Sequence, residues 1–328
     1  MKMKFYQALA LGIEHALAQD PRVVLIGSGF GGLSPEAVQS FAPLLENFSD
    51  RVMPTPISEL GLAGAAVGAS LAGSRPLVDL STGSFLLQAL PSVLNEAANI
   101  HYMTGGKSRV PATFYSLVGI RGAGAAQHSH RPQAWVANTP GLQILMPATP
   151  SDAYGLIKWA LLESQNPTCF FAHALLLGQE GDVNTDSPML AVGKAAVVRI
   201  GTDVTVIATS VMVSRAIEAA EAIYERSGVS AEVIDLRSLA PLDRRTVLDS
   251  VAKTGHAVIA EESSKSFGPG SELAAMLAGE GFSYLKGPVF RVGTEDVPIP
   301  FSPLLEAEVT ATSEKLAEAI LQAANGAK

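Results

Sequence analysis

One carboxylate and two histidines carry the chemistry that can be read from this chain before any fold is assumed. Thr55-Pro56-Ile57-Ser58-Glu59 leads into Gly61-Leu62-Ala63-Gly64-Ala65-Ala66-Val67-Gly68-Ala69, a run of small apolar residues. Pro56 fixes its own φ and pushes Thr55 toward extended geometry, so Ser58 is placed to N-cap a helix with Glu59 in its first turn. Ile57, Leu60 and Leu62 flank that carboxyl, and burial among them would favour its neutral, proton-donating form. The position equally suits a carboxylate that only complements the helix dipole. A second segment, Gly119-Ile120-Arg121-Gly122-Ala123-Gly124-Ala125-Ala126-Gln127-His128-Ser129-His130, is a glycine and alanine loop ending in two imidazoles. Side chains this small let a ligand approach the backbone, and histidine titrates near neutrality.

These groups need a frame, and hydropathy patterning describes one. An amphipathic helix is expected over 5–19, then a short apolar strand, Arg22-Val23-Val24-Leu25-Ile26, closed by Gly27. Further strand-like runs lie at 75–80, 112–116, 142–146 and 168–171, with helices over 84–104 and 151–163, the second opened by Thr149-Pro150-Ser151-Asp152. A polar stretch with Gly and Pro, 178–188, reads as a linker. The alternation resumes with strands at 204–208, 231–235, 257–261 and 289–292. Helices over 213–226, 243–253, 269–280 and 312–324 separate and follow them. The pattern predicts an α/β protein with two open, mostly parallel sheet domains, residues 1–185 and 190–328.

Composition bounds the function. The 328 residues are 48% hydrophobic and only 16% charged, enough apolar surface for two cores, and few charges with many small residues point to extensive protein contacts. A formal net charge of −8 without a basic cluster excludes nucleic acid and anionic membrane surfaces as expected partners. No apolar run approaches the ~18 residues of a membrane span, and a cytoplasmic protein is expected. Cys169 is the sole cysteine, set in Pro167-Thr168-Cys169-Phe170-Phe171, so it reads as a buried strand thiol. Gly27-Ser28-Gly29-Phe30-Gly31-Gly32 satisfies the dinucleotide pattern G-x-G-x-x-G. A helix precedes the supposed first strand, however, and no strand ending in an acid follows about 20 residues later, so nicotinamide binding is disfavoured.

Several blocks fall in a fixed order: Thr55-Pro56-Ile57-Ser58-Glu59, Tyr102-Met103-Thr104-Gly105-Gly106, Gln127-His128-Ser129, Val233-Ile234-Asp235-Leu236-Arg237-Ser238-Leu239 with Pro241-Leu242-Asp243, and Asp296-Val297-Pro298-Ile299-Pro300. In that order, from about Ala8 to Glu306, the chain resembles the beta subunit of thiamine-diphosphate-dependent 2-oxoacid dehydrogenases of the pyruvate and branched-chain type. The resemblance implies a transketolase-like pyrimidine-binding domain followed by a transketolase C-terminal domain. It implies that Glu59 supports the cofactor's pyrimidine nitrogen, so that the ring's own amino group can take the proton from the thiazolium carbon. Ile57 would sit beneath the bent cofactor, Phe85 would stack on the pyrimidine, and His128 would serve near the reacting carbon.

The family's diphosphate and magnesium site uses Gly-Asp-Gly with a later Asn, and this chain has no Gly-Asp-Gly; Gly181-Asp182-Val183 is the nearest approach. The resemblance therefore implies that an alpha subunit supplies the Mg2+ and diphosphate ligands in an α2β2 assembly, with a lipoyl or acyl carrier domain as the acceptor. Ser28-Gly29 stands where Glu-Asp is usual, Ser81-Thr82-Gly83-Ser84 where an aromatic and acidic run is usual, and His130 where glutamine is usual. Two enzymatic functions follow. One is decarboxylation of a pyruvate-like 2-oxoacid with acyl transfer to a lipoyl carrier. The alternative is a split transketolase-like enzyme moving a two-carbon ketol unit from a ketose phosphate to a carrier protein or sugar, with His130 holding a donor hydroxyl. A non-catalytic regulatory homologue is a third class, opposed by the retention of Glu59 with His128.

Overall fold

Continuous apolar runs form strands buried on both faces, as parallel sheets covered by helices require. The computed structural model describes residues 1–27, 35–187 and 189–326. Two units are distinguished: 1–119 with 135–192, and 120–134 with 193–328.

In the first unit, the parallel strands Gln143–Leu145, Thr168–His173, Thr113–Val118, Arg75–Thr82, Val23–Ile26 and Val52–Met53 lie side by side in that order. From Val23–Ile26 the chain passes to Val52–Met53 on one side and then returns to Arg75–Thr82 on the other. The direction of winding thus reverses between the strands 23–26 and 75–82, and the crevice off their carboxyl ends is where open α/β sheets take ligands. Phe5, Leu77, Phe114, Phe170 and Phe171 are fully buried around this sheet. The helix Phe5–Gln19 packs on the helix Pro150–Leu162, whose start is fixed by Thr149 and Asp152 in a reciprocal capping box. Cys169 lies within the sheet, buried, its thiol pushed up to about 12 by desolvation, as a structural thiol should be.

Two details differ from the sequence expectation. Residues 84–104 form three helical pieces, Leu86–Leu90, a π-helical stretch Pro91–Ala97, and Ala98–Met103; Pro91 has no N–H to continue the α pattern. The stretch expected to be a linker contains the strand Glu180–Asp182, which pairs antiparallel with Lys2–Lys4.

In the second unit, the strands Phe290–Thr294, Ala257–Ser264, Val204–Ala208 and Ala231–Asp235 are parallel, and Ala196–Arg199 adds an antiparallel edge. The helices Val211–Ser227 and Ser313–Ala324 pack together, the first ended by Gly228 in the left-handed region. The α/β expectation of two mostly parallel sheets is met. Among the described residues no helix is long and apolar enough to cross a membrane.

Candidate functional site

Glu59 opens the helix Glu59–Leu71, and its side chain is buried, 7% exposed, although it belongs to the first turn. Small residues make this possible. Ala63 and Ala66 are fully buried, and the helix packs on the strand 75–82 and on the helical stretch 86–97, so the backbone sits close to the sheet and draws its first turn in. Ser58 occupies the N-cap position with φ −164°, but its hydroxyl makes no capping hydrogen bond, contrary to the sequence expectation. Its Oγ lies over Gly61 instead, where a Cβ would stand 2.9 Å away. The helix start is held by Leu62 N–H donating to Ser58 O at 2.8 Å.

The surroundings of this carboxyl are half built. Leu62 is buried, whereas Ile57 is 86% and Leu60 51% exposed, so two of the three flanking apolar side chains face outward. Thr55 Oγ1 is a buried hydroxyl with no partner among the described residues. Phe85 follows the strand 75–82, half-buried, in a turn fixed by Phe85 N–H donating to Thr82 O at 2.8 Å and Gly83 N–H to Leu117 O at 2.7 Å. Glu59, Ile57 and Phe85 are therefore placed by neighbouring elements of one unit. An apolar flank, a half-buried aromatic ring, a buried carboxyl and an orphaned hydroxyl form a donor set that fits a flat heteroaromatic ring with ring nitrogens.

Sequence reading overlooked Asp79. It lies in the strand 75–82 beside Gly27, whose φ is +125° and whose missing Cβ would meet Asp79 O at 3.1 Å. Ser81 N–H donates to Asp79 Oδ1 at 2.7 Å while Oδ2 has no partner among the described residues. Burial pushes this carboxyl up to about 6. The signal was one acid inside Leu77-Val78-Asp79-Leu80. Gly27 is also where the G-x-G-x-x-G pattern begins, and residues 28–34 of that pattern lie outside the described residues.

His128 and His130 belong to the second unit. The loop 120–134, expected with the first domain, is tied to the strand 257–264 and the helix Pro303–Val309. Ile120 N–H donates to Glu262 Oε2 at 3.3 Å, Gly122 N–H to Glu306 Oε1 at 2.9 Å, and Gln133 Nε2 to Ser263 Oγ at 2.8 Å. Arg131 bridges Ser129 O at 2.7 Å and Ser264 Oγ at 3.5 Å. Between these ties the backbone is strained: Ala123 and Ala125 have φ of 56° and 53°. Gly124 between them has no Cβ to strike Ser129 Oγ, which would be 2.9 Å away. Strain of this kind costs about 1–3 kcal/mol per residue and persists where the surroundings enforce it. His128 is exposed at the end of a 3-10 turn, Ala126–His128, and His130 is half-buried. Burial, and then the Arg131 charge, lower the His130 pKa, so its ring is neutral at pH 7 and suited to hydrogen bonding. Glu262 and Glu306, the anchors, were not legible as functional residues; Glu262 sits at the end of an apolar strand run and Glu306 in a short helix. Among the described residues no cluster of three or more His, Cys, Asp or Glu could hold a metal ion.

Comparison with known proteins agrees with this fold. The model of the transketolase pyrimidine-binding domain matches residues 1–179, and that of the transketolase C-terminal domain matches 193–316. The chain is 39% identical over 310 residues to the mitochondrial pyruvate dehydrogenase E1 component subunit beta-2 of Oryza sativa, covering 93% of this chain and 82% of the relative. It is 38% identical to the mitochondrial E1 subunit beta of Pisum sativum, covering 98% and 90%. It is also 33% identical to the beta subunit of acetoin:2,6-dichlorophenolindophenol oxidoreductase of Cupriavidus necator, covering 100% and 99%. Among solved structures, a split-gene transketolase described as an inactive beta4 tetramer superposes with a TM-score of 0.81 at 25% identity over 99% of both chains. The chain belongs to the transketolase-like family of thiamine-diphosphate-dependent enzymes, among the beta subunits of 2-oxoacid dehydrogenases.

Proposed function

We propose that this chain is the pyrimidine-binding half of a thiamine-diphosphate enzyme that decarboxylates pyruvate or a close relative and passes the acyl unit to a lipoyl carrier. The observation that carries the reading is Glu59, a carboxyl 7% exposed at a helix N-terminus beside an 86% exposed Ile57. A carboxyl so placed can hydrogen-bond a ring nitrogen of a flat heteroaromatic ligand. When bound, thiamine diphosphate supplies a carbon nucleophile that adds to a carbonyl and accepts the electrons of the broken bond. Glu59 holds a proton at the pyrimidine nitrogen, Phe85 orients the ring by stacking, and Ile57 supports the apolar middle of the cofactor. His128, on its anchored loop, hydrogen-bonds or moves a proton at the substrate end.

The chain lacks Gly-Asp-Gly, which supports an alpha subunit as the source of the diphosphate and Mg2+ ligands in an α2β2 assembly. The exposed Ile57, Leu60 and Leu87 are the apolar surface such a partner would cover. Calorimetry tests the division of labour: the chain with its alpha partner binds thiamine diphosphate tightly with Mg2+, and the isolated chain does not. Tight Mg2+-dependent binding by the isolated chain overturns the reading.

The ketol-transferring alternative is favoured by His130, whose neutral, half-buried ring suits a hydroxyl. The superposition on a split-gene transketolase chain also supports it. In that reading the acceptor is a carrier protein or a sugar.

A further inference from the structure

The amino-terminal edge of the first unit's sheet carries a polar cavity of about 300 Å³, at the opposite end of the strands from the candidate cofactor crevice. Arg22, Arg75, Lys107 and Arg109 line it, four of the 23 basic residues of a chain whose net charge is −8. Arg75 opens the strand 75–82, and Phe85 lies beyond its other end, roughly 25 Å away at about 3.3 Å per strand residue.

Two observations bear on what this cavity could hold. Arg75 is 2% exposed, and its guanidinium donates to two carbonyl oxygens, Leu161 O and Ser164 O, the latter at 2.7 Å, with no carboxylate bonded to it among the described residues. A buried cation without a bonded counterion is costly. Two acids, Asp20 and Glu163, act on it through charge alone, and Asp20 is already engaged by Arg22 through Nη2 at 2.7 Å and Nε at 3.1 Å. Independently, Ser70 lines the same cavity at 5% exposure, and its hydroxyl has no partner among the described residues. Lys107 and Arg109 are exposed at the rim and form no ion pair among the described residues. The helix 59–71 ends beside the cavity, and its Gly68, Ala69 and Ser70 carbonyls accept from the N–H groups of Ala72, Ser74 and Gly73.

We propose that this cavity binds a small phosphate-bearing anion, held by Arg75 and the Ser70 hydroxyl inside and by Lys107 and Arg109 at the rim. Donors that converge from different elements suit a tetrahedral oxyanion carrying about two charges and three acceptor oxygens, and arginine meets such an anion with two bonds at once. The site is distinct from the cofactor's own diphosphate, which the reading above assigns to the partner, and it stands whether or not that reading does.

The test is titration of the full chain with inorganic phosphate at constant ionic strength in chloride, followed by calorimetry and 31P NMR. The expected result is saturable binding of one phosphate per chain. It should weaken roughly tenfold or more in the double variant Lys107→Gln/Arg109→Gln, the size of losing a charge-assisted hydrogen bond. Both replaced side chains are exposed, so thermal unfolding without phosphate should be unchanged. Arg75→Met removes the interior donor; should it unfold, the rim variant and Ser70→Ala decide the matter. A parallel titration with glycerol phosphate separates sources: tighter binding of the ester assigns a phosphorylated metabolite, and tighter binding of phosphate assigns the free ion. Non-saturating uptake, displacement by chloride ion for ion, or rim and Ser70 variants that bind as the parent does would each overturn the site.

Discussion

The Glu59 turn and the histidine loop hold their chemistry in opposite ways. Glu59 is placed locally, by a Pro-stiffened turn and a helix of small residues that lies close against its own sheet. His128 and His130 ride on a strained backbone that is tethered by carboxylates 142 and 184 residues distant in sequence, Glu262 and Glu306. A residue positioned by its own helix can be altered chemically with the architecture left standing. A residue positioned by remote tethers can be displaced by a substitution that never touches it.

The largest effect expected from this contrast is at Glu59. Glu59→Gln keeps the shape of the side chain and exchanges a carboxyl for an amide. The assembled enzyme should lose turnover by orders of magnitude while its melting temperature stays near that of the parent. Exchange of the cofactor's C2 proton, followed by NMR, is the direct readout, and a parental exchange rate would remove Glu59 from the mechanism. His128→Ala should come next, with a loss of about 10²–10⁴ in acyl or ketol transfer and unchanged cofactor affinity. Glu306→Ala should reproduce part of that loss from a distance, because it removes the acceptor that ties the Gly122 N–H. Glu306→Gln keeps the acceptor and should restore the rate. Equal rates in all three Glu306 forms would show that the loop holds itself.

The same contrast explains what was legible in the sequence. The strands 23–26, 113–118 and 168–173 are apolar runs whose burial on both faces dictates their composition, and Thr149-Pro150-Ser151-Asp152 spells out a helix start. Glu59 and Ile57 belong to one contiguous motif, whereas Phe85 is assigned through the family resemblance alone. The allegiance of residues 120–134 to the second unit could not be read, since single hydrogen bonds from distant carboxylates leave no periodic trace. The strand 180–182 was read as a linker because an edge pair of backbone bonds needs no apolar pattern, and its partner Lys2–Lys4 is as polar as it is. Ser58 has the right residue type for a cap, yet its hydroxyl leans over Gly61 instead.

Asp79 sharpens the comparison from within the first unit, because it is a buried acid that sits in the sheet itself. Its folded-state pKa of about 6 lies above the ordinary 3.8, so the folded protein holds a proton that the unfolded chain releases. Its stabilising contribution is complete below pH 3.8 and is lost as pH rises to about 6, a change of about 3 kcal/mol at 1.36 kcal/mol per pH unit. Asp79→Asn keeps the acceptor for the Ser81 N–H and removes the ionisation. It should flatten this part of the stability profile and raise the melting temperature at pH 8 by several degrees. Denaturant titrations at closely spaced pH values check it. A variant less stable than the parent at pH 8 would mean that the ionised Asp79 is favourably bonded.

The smallest and most discriminating change is His130→Gln. Burial and the neighbouring Arg131 keep this imidazole neutral at pH 7, so it offers a hydrogen bond without a charge, and glutamine preserves both a donor and an acceptor at similar reach. The two candidate reactions part here. If the enzyme takes a ketose phosphate, the ring is matched to a donor hydroxyl, and the variant should weaken use of the ketose more than use of pyruvate, seen as a selective fall in kcat/KM. If the enzyme is a 2-oxoacid dehydrogenase, glutamine should be nearly silent with either donor, because the His128 tethers through Gly122 and Ile120 are untouched. Parallel kinetics with both donors separate these outcomes, and equal losses on both would place His130 among the loop's structural residues, with donor choice set elsewhere in the assembled site.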